Sequence, residues 1–275
     1  MIMNTNEISG KRQMEFLAGF DYIREAGTAG EEKAAALIQE TLSSFGVESR
    51  LEEFSFDTFQ IKKAKLTITE PYTKEYTVTG YGRCANTAED GLKAPFVYAE
   101  NGDDISLAQV KGKIVMVNDP VRKDMYQKLV KAGAVGFISI AGSPLDEGVD
   151  LIPRAYGLPK NLPGEEKKAA GKEAQNYDNR IPGVSIHYKD AIELVTKGAS
   201  QACLVVEQET VTRTSRNVVA QIEGTDKAEE ILTLTAHYDS VQEGPGAYDN
   251  MSGGAIIMEL CRYFQAHRPR RTMEF

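Results

Sequence analysis

The sequence predicts an α/β protein. An amphipathic helix bounded by end signals, a strand–helix–strand alternation in the middle, and a second alternation near the end that sets a histidine and an aspartate beyond a strand all point to it. Taken in order, Phe16, Leu17, Phe20 and Ile23 recur at helical spacing. A second helix opens at Thr28, where Thr28 and Glu31 fit the reciprocal capping-box pattern, and it carries Ala34, Ala35, Ile38, Leu42 and Phe45 on one side. Gly46 stands where a left-handed C-terminal cap ends such a helix. Phe54 and Phe56 alternate with polar neighbours, as in an extended segment.

From about residue 59 the pattern changes. Ile114–Val117 is a short buried-strand run, Met125–Ala132 reads as a helix, and Val135–Ile140 as a second strand. Residues 143–180, rich in Gly, Pro, Lys and Glu, with Glu165, Glu166, Lys167 and Lys168 in sequence, read as a long surface excursion. Ile181–Ile186 resumes a strand, Asp190–Lys197 a helix, and Cys203–Val206 another strand. The expected organisation is residues 1–58 and 208–275 as one domain, with 59–207 inserted between them.

Composition removes several function classes. The 40 acidic residues outnumber the 32 basic ones, giving −8, and no Lys/Arg run forms the patch a polyanion binder needs, so nucleic acid is not an expected partner. No stretch is long and apolar enough to span a bilayer, and Met1–Glu7 show no cationic start followed by an apolar run, so a cytoplasmic protein is expected unless a leader has been removed. Cys84, Cys203 and Cys261 are scattered and odd in number, as reduced core residues would be. No G-x-S-x-G, Walker or H-E-x-x-H motif is present.

The chemistry gathers after the insert. Asn217–Gly224 is a strand ending in a turn, Ile231–Ala236 a second strand, and His237 follows at once. Reactive groups of open α/β sheets collect beyond the carboxyl ends of strands, which is where His237 and Asp239 fall. Gly244–Asn250 is a loop forced by Gly and Pro, and a helix starts near Ser252 with Ile256, Ile257, Leu260 and Phe264 as its apolar stripe, leaving Asp249 at its entrance. Singly, a histidine at a sheet edge or an aspartate before a helix is ordinary structure. Together they are a set that suits zinc, and Asp239, two positions from His237, is near enough to orient the imidazole by a hydrogen bond. Ser240 and Ser252 read as a loop hydroxyl and a helix-start residue, Gly253-Gly254 as close helix packing, and His187 and His267 as solvated side chains.

The run His237-Tyr238-Asp239-Ser240, then Gly244-Pro245-Gly246-Ala247-Tyr248-Asp249-Asn250-Met251-Ser252-Gly253, resembles the two-zinc aminopeptidases, a family that also includes glutamate carboxypeptidases and the transferrin receptor ectodomain. Residues 112–117, 131–138 and 181–186 of the insert resemble the protease-associated domain, a module that shapes substrate access. The resemblance implies an incomplete three-layer αβα zinc-exopeptidase domain carrying that insert. It implies two zinc ions in the complete enzyme, with His237 a ligand of one, Asp249 bridging both through its two carboxylate oxygens, and Asp239 the catalytic residue that supports His237. Peptides would be the substrates. The family's Glu-Glu pair, later carboxylate and second histidine have no match here, and Arg271–Phe275 reads as the opening of the strand before them, so Glu274 is not assigned as the base. This chain is therefore expected to be inactive alone, with an open sheet edge at Met273 and Phe275 that favours association. The alternatives are a partner-binding fragment or pseudoenzyme acting through the insert, or a carboxypeptidase or glutaminyl cyclase on the same fold.

Overall fold

A computed structural model describes residues 7–118, 120–145, 153–163 and 177–275. Glu165, Glu166, Lys167 and Lys168, most of the expected surface excursion and Met1–Asn6 lie outside the described residues. The chain divides into two compact units, one of residues up to Phe56 together with Thr212–Phe275, the other Asp57–Val211. It passes from one to the other within two long strands, β1 (Ser49–Glu70) and β8 (Gln201–Ile222).

In the first unit, α1 (Gly10–Ala18) and α2 (Ala29–Ser44) are followed, after the insert, by the end of β8, then β9 (Lys227–Thr233), α5 (Ser252–Ala266) and β10 (Arg271–Glu274). β10 pairs antiparallel with β8 at Met273↔Ile222 and parallel with β9 from Arg271↔Lys227 to Glu274↔Thr233. Phe20, Ala34, Ile38, Leu42, Ile222, Met258 and Cys261 form its core. The α2 stop is as the sequence predicts: Gly46 is left-handed at φ 74°, and the Gly46 and Val47 N–H groups cap the carbonyls of Ser43 and Leu42. The start differs. Thr28 makes no side-chain cap and instead donates to the Glu25 carbonyl, while Glu31 accepts from Gly27 N, so the capping box does not form.

Where α1 meets α5, Glu259 is buried and accepts from Ser9 N, from Arg12 Nε and Nη2, and from Arg262 Nε and Nη2. Burial pushes its pKa up, but the hydrogen bonds and charge of Arg12 and Arg262 outweigh that and hold it at about 2, below the ordinary 4.5. A depressed carboxylate stabilises the fold above its unfolded pKa, and the contribution is lost as pH falls through the folded one. Acid titration of stability is therefore expected to show a loss of up to about 3 kcal/mol between about pH 4.5 and 2. Urea midpoints across that window should fall less steeply in Glu259→Gln; an equal slope in both proteins would remove Glu259 as the cause.

The second unit is built on a mixed sheet. Its strands are ordered β2-β1-β8-β4-β5-β6-β7-β3, with β2 Lys74–Tyr76, β3 Val78–Gly80, β4 Leu92–Tyr98, β5 Ile114–Val117, β6 Gly136–Ala141 and β7 Gly183–His187. The β4–β5, β5–β6 and β6–β7 pairs are parallel, and β3–β7, β4–β8 and β1–β2 antiparallel. Central parallel strands are covered on both faces, which is why β5 is apolar at every position and wholly buried. Helices α3 (Lys123–Lys131) and α4 (Tyr188–Thr196) supply the connections and begin two residues earlier than their apolar spacing alone suggests. Gly183 is required by contact: a Cβ there would lie 2.1 Å from Phe137 Cζ, whose ring is itself held edge-on by Tyr81. Cys84 is buried, its sulfur accepting from Gly183 N and Gln208 Nε2, and burial pushes the thiol up to about 12, so it is a packing residue. Cys261 is likewise buried, whereas Cys203 is half-exposed and corrects the expectation of three core thiols. His187 corrects another: it is buried, and its Nδ1 caps α4 by accepting from Lys189 N. No helix among the described residues is long and apolar enough to cross a membrane.

Candidate metal centre

Two peptide segments of the first unit build the site. β9 stops at Thr233, where its ladder with β10 ends, although Leu234 N still donates to the Glu274 carbonyl. The expected strand to Ala236 is thus shorter, and residues 234–240 run without regular structure. The second segment turns back at Gly246, left-handed at φ 57°, where a Cβ would lie 2.7 Å from the Asp249 carbonyl oxygen. Met251 N then reaches the Gly246 carbonyl, and a wide turn over Ala247–Met251 leads into α5. Asp249 departs from helical geometry within that turn, at φ −111° and ψ 95°.

The three residues singled out in the sequence come together. His237 Nδ1 lies 2.9 Å from Asp239 Oδ1, and His237 Nε2 lies 3.0 Å from Asp249 Oδ1, so the imidazole stands between two carboxylates. The side chains of His237 and Asp249 are 53% and 78% exposed, open to an incoming ion or substrate. His237 and Asp239 border a cleft of about 490 Å3 whose other walls include Met251, Ile257, Glu274 and Phe275.

This donor set fits zinc. With Nδ1–H given to Asp239, the Nε2 lone pair faces a carboxylate oxygen, and the repulsion between them is relieved by a proton or a cation. Zinc bonds of about 2.0–2.2 Å at a tetrahedral angle put two ligand atoms about 3.4 Å apart, within a few tenths of the separation seen. Among the described residues no group of three or more His, Cys, Asp or Glu side chains is placed to hold a metal ion, so the pair alone would hold zinc weakly.

Three residues that sequence reasoning did not assign to the site support it. Tyr238 points away from the pair: its hydroxyl lies 2.6 Å from the Arg216 carbonyl and 2.9 Å from Glu31 Oε1, and burial together with Glu31 pushes its pKa up. Glu31, 1% exposed, also accepts from Ser215 Oγ at 2.6 Å, from Gly27 N and from Arg216 N. Arg24 contacts the segment from the other flank. The capping-like position of Glu31 was its one visible signal, and a lone arginine among 32 basic residues has none. Elsewhere in the two segments, Ser252 donates to the Tyr248 carbonyl, Ser240 bonds Arg24, and Gly253 and Gly254 leave room for Asn250 and Met251. His267 is not simply solvated: it packs on Tyr263 and reaches Glu7 Oε2.

Residues 217–275, which contain all three site residues, match peptidase family M28. The whole described architecture, a mixed α/β fold, is that of solved zinc aminopeptidases: it superposes on BSAP, a zinc aminopeptidase from Bacillus subtilis, with a TM-score of 0.72 at 24% identity, covering 98% of this chain and 60% of that one. In sequence the chain is 28% identical over 265 residues to Aminopeptidase YwaD of Bacillus subtilis (strain 168), covering 92% of this chain and 50% of the relative. It is 24% identical over 261 residues to Carboxypeptidase Q of Mus musculus, covering 91% of this chain and 54% of the relative. The chain spans about half the length of the curated relatives it matches.

Proposed function

We propose that the chain is the part of a zinc-dependent exopeptidase, an aminopeptidase, that brings His237 and Asp249 to the metal and carries a protease-associated domain as its second unit. The observation that carries the reading is the imidazole of His237 held between Asp239 and Asp249, inside the segment that matches peptidase family M28. His237 Nε2 and the Asp249 carboxylate would hold zinc, and the second Asp249 oxygen would serve a second ion. Zinc in such a site polarises the scissile carbonyl and makes water a nucleophile near neutral pH. Asp239 accepts from Nδ1–H, which fixes the tautomer, raises the basicity of Nε2 and keeps the ring aimed at Asp249. The order β5, α3, β6, β7 and the buried apolar sheet support the protease-associated reading of the second unit.

The test uses a protein carrying this chain within the full length of its relatives, assayed on peptides blocked at one end or the other. Chelator-sensitive release of residues from amidated peptides with a free N-terminus, and none from acetylated ones, is expected. Release from the acetylated peptides alone would transfer the protein to the carboxypeptidase reading that the likeness to Carboxypeptidase Q favours. Full activity in His237→Ala would remove the proposed centre altogether.

A further inference from the structure

The His237–Ser240 segment has no strand or helix to hold it, yet it must present two side chains within tenths of an ångström. What holds it is Arg24, whose side chain is wholly buried (0% exposed) although arginine is among the residues least often buried. Its Nε donates to the Tyr238 carbonyl at 2.9 Å. Its Nη1 donates to the carbonyls of Phe20 at 2.7 Å and Tyr22 at 3.0 Å. Its backbone meets Ser240 twice: Arg24 N donates to Ser240 Oγ at 2.8 Å, and Ser240 N donates to the Arg24 carbonyl at 3.0 Å. Phe20 and Tyr22 lie against the guanidinium, with its carbon 5.4 and 5.9 Å from the two ring centroids. Burial pushes the Arg24 pKa down, more than the nearby Asp239 carboxylate pushes it up, and an arginine so placed stays charged.

Asp239 is thus flanked by two anchored residues, Tyr238 through its carbonyl and Ser240 through its amide and hydroxyl. We propose that Arg24 is a positioning residue for the metal centre: it grips the backbone on both sides of Asp239, so that the carboxylate is held against His237 Nδ1 and the imidazole keeps Nε2 toward Asp249. The proposal rests on the zinc reading above for its consequence, but not for its geometry. A planar fork reaching three carbonyls at once is something arginine can do and lysine, a point donor on a flexible stem, cannot. Loosening the clamp frees Asp239, and a histidine without its orienting carboxylate samples both tautomers.

The experiment reads the tautomer directly in the metal-free chain. The protein has three histidines, so a long-range proton–nitrogen spectrum of the imidazoles at about pH 8 resolves His237 with His187 and His267 as internal controls. Arg24→Lys breaks the fork, and Ser240→Ala removes the other anchor with little change in volume. In an Asp249→Ala background, where no carboxylate faces Nε2, His237 should be one tautomer, with Nδ1 protonated. Both variants made in that background should show it as a mixture with the control signals unmoved, and with Asp249 intact their zinc affinity by calorimetry should fall about 10–100-fold, as for loss of an orienting partner. If Arg24→Lys fails to fold, Ser240→Ala decides alone. Folded variants with the wild-type His237 signals and zinc affinity would overturn the proposal. Zinc binding unaffected by His237→Ala would instead sink the zinc reading, and the tautomer comparison would still decide the clamp.

Discussion

Calorimetry of the chain with zinc is expected to show weak binding that His237→Ala lowers by about 100-fold, enough to take it out of the measurable range. Complete four-ligand zinc sites bind with about 10–16 kcal/mol, or about 3 kcal/mol per ligand, and here His237 and Asp249 are the pair at hand. Losing one of two therefore removes most of the site. Asp239→Asn should cost less, because the ring nitrogen that faces Asp249 remains and only its orientation suffers. Binding that survives His237→Ala would mean that the ligands are elsewhere in the chain.

Glu31→Ala is expected to destabilise the first unit by about 3–5 kcal/mol, the scale of removing one partner from a buried charged network. The carboxylate accepts from Ser215 Oγ, Tyr238, Gly27 N and Arg216 N while almost wholly buried, so its removal leaves several donors unpaired, each costing about 1–3 kcal/mol before relaxation. Glu31→Gln keeps the shape and some acceptor capacity and should cost clearly less. Urea denaturation followed at the tyrosines distinguishes them; equal midpoints for wild type and Glu31→Ala would show that these donors find water instead.

The contrast between Glu31 and Gly46 explains what could be read from the sequence. Gly46 announces the end of α2 because its role depends on residues three to five positions away, and the buried run of β5 announces itself because four apolar residues stand together. His237, Asp239 and Asp249 were legible for the same reason, being only 12 positions apart at most. Glu31 presents the same local pattern as a capping residue, but its strongest partners are 184 and 207 residues away and draw it from the cap. Arg24 meets Tyr238 across 214 residues, and no periodicity or spacing carries such a contact. The end of β9 falls short of its apolar run because its length is set by the partner strand rather than by its own apolar residues. His187 gives no local sign of its role because a buried helix cap looks, in sequence, like any polar residue between a strand and a helix.

The division of the chain within β1 and β8 bears on how the molecule assembles. The first unit is discontinuous, and a loose connection of roughly 150 residues between its halves would cost about 4–5 kcal/mol in closure entropy. The second unit is a single stretch whose two ends are already neighbours, since β1 and β8 are adjacent strands and Lys62 meets Glu209 at 2.7 Å. Once it has folded, most of that entropy is spent, and α2 and Arg24 find the Tyr238 segment as though joined to it by a short tether. The unit without the metal ligands would then act as an intramolecular chaperone for the one that has them.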